Sequence, residues 1–298
     1  QERKRTMTDN QYIFFIGGKD LEMETIKQLL SAHNQPYIDK NLGWGAKTSA
    51  YEAEISQAAA DGKTPVVIEL EQDCKLPENA INIDHHNQNA GRPASVLQIC
   101  DLLGIEKTRD LQLIGANDAA YIPGMMEMGA APEEIARVRR RDRMCQGITE
   151  EQEKEAERAI SKKEEICGVT IVRMAHSKTA TVADRLFEKD KQQNLLILSD
   201  DGEANYFGDG KLCKMLQGNV IGEQPAPWDA NQTIPVYDNF GGWNGGAGLG
   251  DENGNAFWGG YPDHEKVLNY IVSYNREKQE RTAAKINAAI LAKNNRDR

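Results

Sequence analysis

The sequence predicts an α/β protein in which an open, largely parallel sheet flanked by helices is followed by a smaller α/β domain. Three observations lead to this class. Short apolar runs such as YIFFI and PVVIEL lack the alternation of a half-exposed strand and suit parallel strands covered on both faces. Stretches with apolar residues at helical spacing stand between them, so strand and helix alternate. The chain has 298 residues, enough for two domains with sizeable cores.

Residues 12–17 (YIFFIG) form the first expected strand, and Met23, Ile26, Leu29 and Leu30 give the next segment a helical apolar face. Residues 49–62 make a second helix stopped by Gly62. TPVVIEL (64–70) is the next strand, AINI (80–83) another, and PASVLQICDLLGI (93–105) the helix after it. RDLQLIGANDAAYI (109–122) continues as a helix that carries Asn117 and Asp118. Together these elements define a first domain over residues 11–125.

Residues 126–167 read as a helical, highly charged connecting region. Arg137, Arg139, Arg140, Arg141 and Arg143 within it could meet a phosphate, and better suit a solvated helix face flanked by acids. A second α/β domain follows over 168–275. GVTIVRMA is its first strand, TATVADRLFEKD a helix, and NLLILSDDGEANYFG a hairpin turning at Asp201-Gly202. TIPVYDNF and the residues after it supply a short strand and a glycine-dense loop, and a helix begins near PDHEKVLNYIVSY. Residues 276–298 form a polar helical tail, either packed on a partner in a homodimer or solvated.

A formal net charge of −10 leaves no long basic surface to neutralise phosphates, which argues against binding of duplex nucleic acid. A small phosphorylated molecule or nucleotide, held by metal ions and a few cations, stays compatible with it. Five cysteines, odd in number and never spaced CxxC, suggest reduced thiols in a cytoplasmic protein. No apolar run reaches membrane-spanning length and the start QERKRTMTDNQ has no apolar signal segment, so no membrane partner is expected. Met7 is a candidate start.

NAINIDHHNQNAG (79–91) sets two of the five histidines side by side after an aspartate. AINI ends a strand, so Asp84, His85 and His86 should emerge at its carboxyl edge, where open α/β sheets bind ligands. The trio offers a metal ligand, an acid or base, and a carboxylate to orient an imidazole. A solvated polar loop is the bland alternative. Glu22 and Glu24 stand just beyond the first strand, Glu69 closes the VVIE strand, and Asp118 ends LIGAND. If the strands pair as their pattern suggests, these groups converge on one edge. Such a set suits Mn²⁺ or Mg²⁺, and a pair of such ions would bind a phosphate and activate water. Glu22 and Glu24 are also ordinary acids at a helix start, favoured by its dipole. Asp118 could be a local turn or cap, whereas Glu69 at the end of an apolar strand must be exposed or paired.

The order of these sites resembles the DHH phosphoesterase superfamily, which includes manganese-dependent pyrophosphatases, single-strand exonucleases and phosphatases of cyclic dinucleotides or very short oligonucleotides. There a first strand ends in His-x-x-x-Asp-x-Asp, a second in Asp, a third supplies Asp-His-His, and a later helix adds an Asp. The resemblance implies His85 and Asp118 as metal ligands, with His86 facing the substrate phosphate and Asp84 beside it. Ser95, in RPASVLQICDLLG, takes the place of a common small hydroxyl residue. The first motif departs: GKDLEME puts Gly18 where histidine is expected and Glu22 and Glu24 where the two aspartates are expected. Glu69 likewise replaces an aspartate.

The resemblance covers residues 11–125 and, more loosely, the second half, where the family's C-terminal domain carries a Gly-Gly-Gly-His-like substrate loop. FGGWNGGAGLG (240–250) occupies that place without the histidine. Gly241, Gly242, Gly245 and Gly246 would let backbone N–H groups approach an anion, or simply make a flexible connection. Trp243 and Trp258 flank the loop as rings on which a base could stack.

Each Asp-to-Glu exchange moves a carboxylate outward by roughly a bond length, and the missing histidine weakens one metal site. Lys19, next to that gap, could contact a phosphate directly or face solvent. Two functions follow. One is a metal-dependent phosphoesterase acting on a small phosphorylated or nucleotide-type substrate at a one- or two-metal site. The other is a degenerate DHH-like protein that binds such a ligand as a sensor or assembly partner. The replaced aspartates all remain acidic, which favours a re-tuned metal site and the enzyme.

Overall fold

Phe14 and Phe15, like Val66 and Val67, send neighbouring side chains to opposite faces of a sheet, and all four are fully buried. A sheet covered on both sides is the consequence. The computed structural model describes residues 11–43, 45–189, 191–227 and 229–296, and the chain divides nearly in half into two units, Gln1–Ile148 and Thr149–Arg298. Met7 lies outside the described residues.

In the first unit, strands β1 (Tyr12–Ile16), β2 (Tyr37–Asp39), β3 (Thr64–Ile68) and β4 (Ile81–Ile83) form a wholly parallel sheet in the order β2-β1-β3-β4. The helices are α1 (Leu21–Ala32), α2 (Glu52–Ala60), α3 (Ser95–Leu103), α4 (Arg109–Glu127) and α5 (Pro132–Cys145). Phe14, Ile16, Val66 and Ile68 pack on one face against Met23, Ile26, Val96 and Ile99. On the other face Phe15 and Val67 meet Tyr51, Ile55 and Ala58. Strand order reverses between β1 and β3, and such a switch point opens a crevice beyond the strands' carboxyl ends. Gly17 sits there because a Cβ would lie 2.6 Å from the Glu69 carbonyl oxygen.

The helices depart from expectation in two places. Within α4, Ala120 and Tyr121 leave helical geometry, Tyr121 with φ of 57°. Pro123 lacks an N–H and its ring crowds the carbonyl four residues earlier, which accounts for a break at this point. The charged stretch expected to connect the domains is divided. α5 packs on α1 and α4 in the first unit, and α6 (Glu150–Ser161) packs on the sheet of the second. Arg139 and Arg143 are buried, so the helix face that carries them is not solvated.

The second unit holds a six-stranded mixed sheet in the order β11-β12-β8-β7-β6-β5 and a two-stranded ribbon β10-β9. The strands are β5 (Glu164–Ile166), β6 (Val169–Met174), β7 (Leu195–Ser199), β8 (Ala204–Asp209), β9 (Val220–Ala226), β10 (Asp229–Tyr237), β11 (Trp243–Gly245) and β12 (Asn255–Gly260). The turn at Asp201-Gly202 joins β7 to β8 as an antiparallel hairpin. Helix α7 (Ala180–Ala183) is shorter than the helix expected over 179–190, while α8 (Gly210–Gln217) was not anticipated from the sequence. The last helix, α9 (His264–Arg296), adds Val267, Ile271 and Tyr274 to the core, and from Arg276 to Lys293 its residues are largely exposed. Among the described residues no helix is long and apolar enough to cross a membrane.

Candidate metal centre

Four segments deliver polar side chains to the crevice of the first unit. Asp20 caps α1 through a hydrogen bond that Met23 N–H donates to Oδ1 (2.8 Å), which fixes where the helix after β1 begins. Glu22 follows on the buried side of that helix, 1% exposed. Glu69, the first residue after β3, adopts a left-handed φ of 50°. That conformation disfavours any residue with a Cβ, and such strain concentrates at sites where surrounding structure over-determines the backbone. Asp84, His85 and His86 leave the end of β4, and Asp118 comes from the last turn of α4 before its break.

His85 stands at the centre. Its Nε2 lies 2.8 Å from Asp118 Oδ2, 3.3 Å from Glu22 Oε2 and 3.4 Å from Glu69 Oε1. One imidazole nitrogen carries at most one proton, so it cannot satisfy three carboxylate oxygens. Glu69 Oε1 and Asp118 Oδ2 are in fact buried without a hydrogen-bond partner, and so is Ser95 Oγ at the start of α3. Buried oxygens in this condition are costly and call for an explanation.

Glu22 has a second task. The N-cap of α3 is Ala94, whose side chain has no oxygen to offer, and Val96 N–H donates instead to Glu22 Oε1 at 2.9 Å. The carboxylate thus meets the positive end of a helix on one side and His85 on the other.

His86 is set apart from this centre by exposure. Its ring centroid lies 4.1 Å from that of His85 with the planes tilted by 38°, with Nε2 3.6 Å from Asp118 Oδ2 and Nδ1 3.3 Å from Asp84 Oδ1. Asp84 is itself fixed, accepting from His86 N–H (2.9 Å) and from Asn89 Nδ2 (2.7 Å). It orients the imidazole and orders the loop. Donor atoms of Glu69, His85, His86 and Asp118 lie within 4.8 Å of one another, and Glu22 reaches the same His85 nitrogen. A cleft of about 690 Å³ opens beside them, lined by Gly18, Glu69, Asn82, Asp84, His86 and Asn87 among others.

Electrostatics follow from this crowding. Burial works against the imidazolium of His85, but Asp118, Glu22 and Glu69 outweigh it and push its pKa up to about 12. Burial raises Glu22 well above the usual carboxylate range in spite of His85. Glu69 resists the same burial penalty, because His85 holds it below its ordinary value. Asp20 is pushed up to about 7, first by burial and then by the charges of Asp118, Glu69 and Asp142. Hydrogen bonds from His86 N–H and Asn89 keep Asp84 low although burial opposes them.

A divalent ion fits these residues. Donors about 2.1 Å from a shared ion lie roughly 3 Å apart when adjacent and about 4 Å apart when opposite, the range of separations found around His85. Carboxylate oxygens mixed with imidazole suit ions of intermediate hardness.

The structure brings Glu22, Glu69, His85 and Asp118 together, with His86 and Asp84 at their edge. Glu24 is not among them. It lies 2.9 Å from Lys27 Nζ and accepts from Gln28, because two positions along a helix turn a side chain to the other face. Asp20, two residues before Glu22, is the acid that feels Glu69 and Asp118. Its N-cap position after Gly17-Gly18 was the available signal. Lys19 is exposed.

The glycine-rich loop belongs to the second unit, and several of its glycines are required by close packing. A Cβ on Gly242 would lie 2.1 Å from the Gly259 carbonyl oxygen, and one on Gly245 would meet the Phe257 ring at 2.8 Å. Gly246 faces the backbone of Ala256, and Gly241 accepts the indole N–H of Trp258 at 2.8 Å. Trp258 is fully buried in the core, so no base can stack on it. Trp243 is 42% exposed and lies edge-on to Tyr261.

Comparison with models of known protein families gives no match, and no curated protein matches the chain. The functional reading therefore rests on the residues and their geometry.

Proposed function

We propose that the first unit is a divalent-metal phosphoesterase site of DHH type, using Mn²⁺ or Mg²⁺ and acting on a small phosphorylated or nucleotide-type substrate. The observation that carries this reading is the pair of buried, unpartnered oxygens, Glu69 Oε1 and Asp118 Oδ2, turned on a single His85 nitrogen with Glu22 as a third acid. A cation placed among them relieves a crowding that the single proton of His85 Nε2 cannot satisfy. Glu22, Glu69, His85 and Asp118 would hold it. When bound, such an ion supplies a Lewis acid for a phosphoryl oxygen and lowers the pKa of a water.

The chain's own residues account for the rest. His86, partly exposed at the cleft wall and oriented by Asp84, is placed to steady charge on a phosphate or give a proton to the leaving oxygen. The cleft beside it has the volume of a small-molecule site. Asp20-Leu21-Glu22 supports the family resemblance better than Glu22 and Glu24 do, since both of its acids turn to the cluster. In that register the family's first histidine falls on Ile16, which is 1% exposed within β1.

Ile16 at that place favours a second reading, in which the protein binds a phosphorylated ligand without cleaving it. Equilibrium dialysis against Mn²⁺, with wild type beside His85→Ala, combined with phosphate release from nucleoside monophosphates and short oligonucleotides, separates the readings. One or two ions per wild-type chain, lost in His85→Ala, with phosphate released, supports the enzyme. Bound metal without release favours the binding protein. No retained metal overturns the enzyme and leaves a ligand-binding protein, to be tested with nucleotides directly.

A further inference from the structure

Helix α4 is broken two residues after Asp118, and a broken helix does not by itself fix the direction of its last turn. Gly124 lets the second segment fold back closely, since a Cβ there would lie 2.7 Å from the Ala116 carbonyl oxygen. What spans the break is Arg139 of α5. Its Nη1 donates to Asn117 Oδ1 at 2.9 Å before the break, and its guanidinium lies 4.4 Å over the ring of Tyr121, the second residue of the break. The same Nη1 donates to Asp142 Oδ2 at 2.7 Å, and Asp142 Oδ1 accepts from Leu21 N–H at 3.1 Å, the first residue of α1.

Each end of this chain of contacts stops one residue short of an acid in the cluster. Asn117 precedes Asp118 and Leu21 precedes Glu22. Arg139 is 7% exposed and Asp142 5%. Burying an ion pair costs desolvation that its mutual attraction barely repays, so such a pair is weak as a source of stability. Its planar fork, by contrast, fixes geometry well. From these facts we infer that Arg139 and Asp142 are positioning residues that hold α1 and α4 in register, so that Glu22 and Asp118 reach one ion. The inference rests on the metal reading proposed above and adds to it the residues that set the ligand geometry.

The test is Mn²⁺ affinity, followed by the EPR signal of free and bound ion, in wild type, Arg139→Met, Asp142→Asn and Tyr121→Leu. Groups that orient ligands without touching the metal typically contribute 10- to 100-fold to affinity. Arg139→Met and Asp142→Asn should therefore raise the dissociation constant by about 10- to 100-fold, and Tyr121→Leu, which keeps the ion pair, by less. Ile55→Ala, which opens a cavity on the opposite face of the sheet, serves as a control. It should lower thermal stability and leave affinity unchanged. If Arg139→Met does not fold, Tyr121→Leu and Asp142→Asn carry the comparison. Wild type that binds Mn²⁺ with variants that bind it equally well overturns the positioning role. Wild type that binds no Mn²⁺ overturns the metal reading itself, and the positioning role with it.

Discussion

Glu69 offers a sharp test of whether strain is stored at the site. Its φ of 50° lies in the left-handed region, where a Cβ costs about 1–2 kcal/mol and glycine pays nothing. Glu69→Ala and Glu69→Gly remove the same carboxylate, so their difference isolates the backbone. Glycine gives back about 0.5–1 kcal/mol through the larger entropy of the unfolded chain. The glycine variant should therefore be the more stable by about 0.5–1 kcal/mol, a shift of roughly 1–4 °C in Tm for a unit of this size. Thermal unfolding of the metal-free proteins, followed by circular dichroism, measures it. Mn²⁺ should then separate wild type from both variants. At 100 times its dissociation constant the ion adds about 2.7 kcal/mol to wild type and nothing to either variant. A Glu69→Ala protein as stable as Glu69→Gly would refute the strain, and equal stabilisation of all three by Mn²⁺ would refute the ligand role.

Three further outcomes are expected. Asp20 has a folded pKa raised from 3.8 to about 7, so its contribution is intact below pH 4 and is lost as pH rises through 7. For the metal-free protein this amounts to a loss on the order of 4 kcal/mol at most. His85 acts in the same direction above its unfolded pKa of 6.5. Asp20→Asn, which keeps the cap, should flatten the fall in Tm between pH 5 and 8, and an unchanged slope would deny the shift. Glu22→Gln should weaken Mn²⁺ binding at least tenfold while Glu24→Gln leaves it unaltered, with titration calorimetry reading both; equal effects would restore Glu24 to the site. His86→Ala should retain bound metal and slow phosphate release about 10²-fold or more, whereas metal loss comparable to that of His85→Ala would make His86 a ligand.

Three strands of the parallel sheet, β1, β3 and β4, were legible as local apolar runs, and the Asp-His-His segment because it follows one of them directly; the short edge strand β2, Tyr37–Asp39, is largely exposed and was not. The first motif was harder. Spacing alone made Glu22 and Glu24 a pair, but residues two apart on a helix point about 200° apart. Leu21, Glu22, Thr25 and Ile26 form the buried face, and Glu24 lies outside it. The burial of Arg139 could not be read from a run of arginines and acids, because its partners Asn117 and Tyr121 come from another helix across a break. In the second unit the glycines of 241–246 looked like a ligand loop, yet the close approach of β11 to β12 accounts for Gly242, Gly245 and Gly246. That approach depends on strand pairing, which composition does not encode.

The acids around His85 are remote from it in sequence: Glu22 precedes it by 63 residues, and the contact that anchors Leu21 to Asp142 spans 121. Ligands so far apart meet only after the sheet has formed and α1, α4 and α5 have packed together. Before then the chain offers an ion the local Asp84-His85-His86 segment, with the acids that complete the set still scattered. If these contacts form after the folding transition state, stabilising them slows unfolding without hastening folding. An ion held here would then act as a latch on the finished first unit, lengthening its native lifetime.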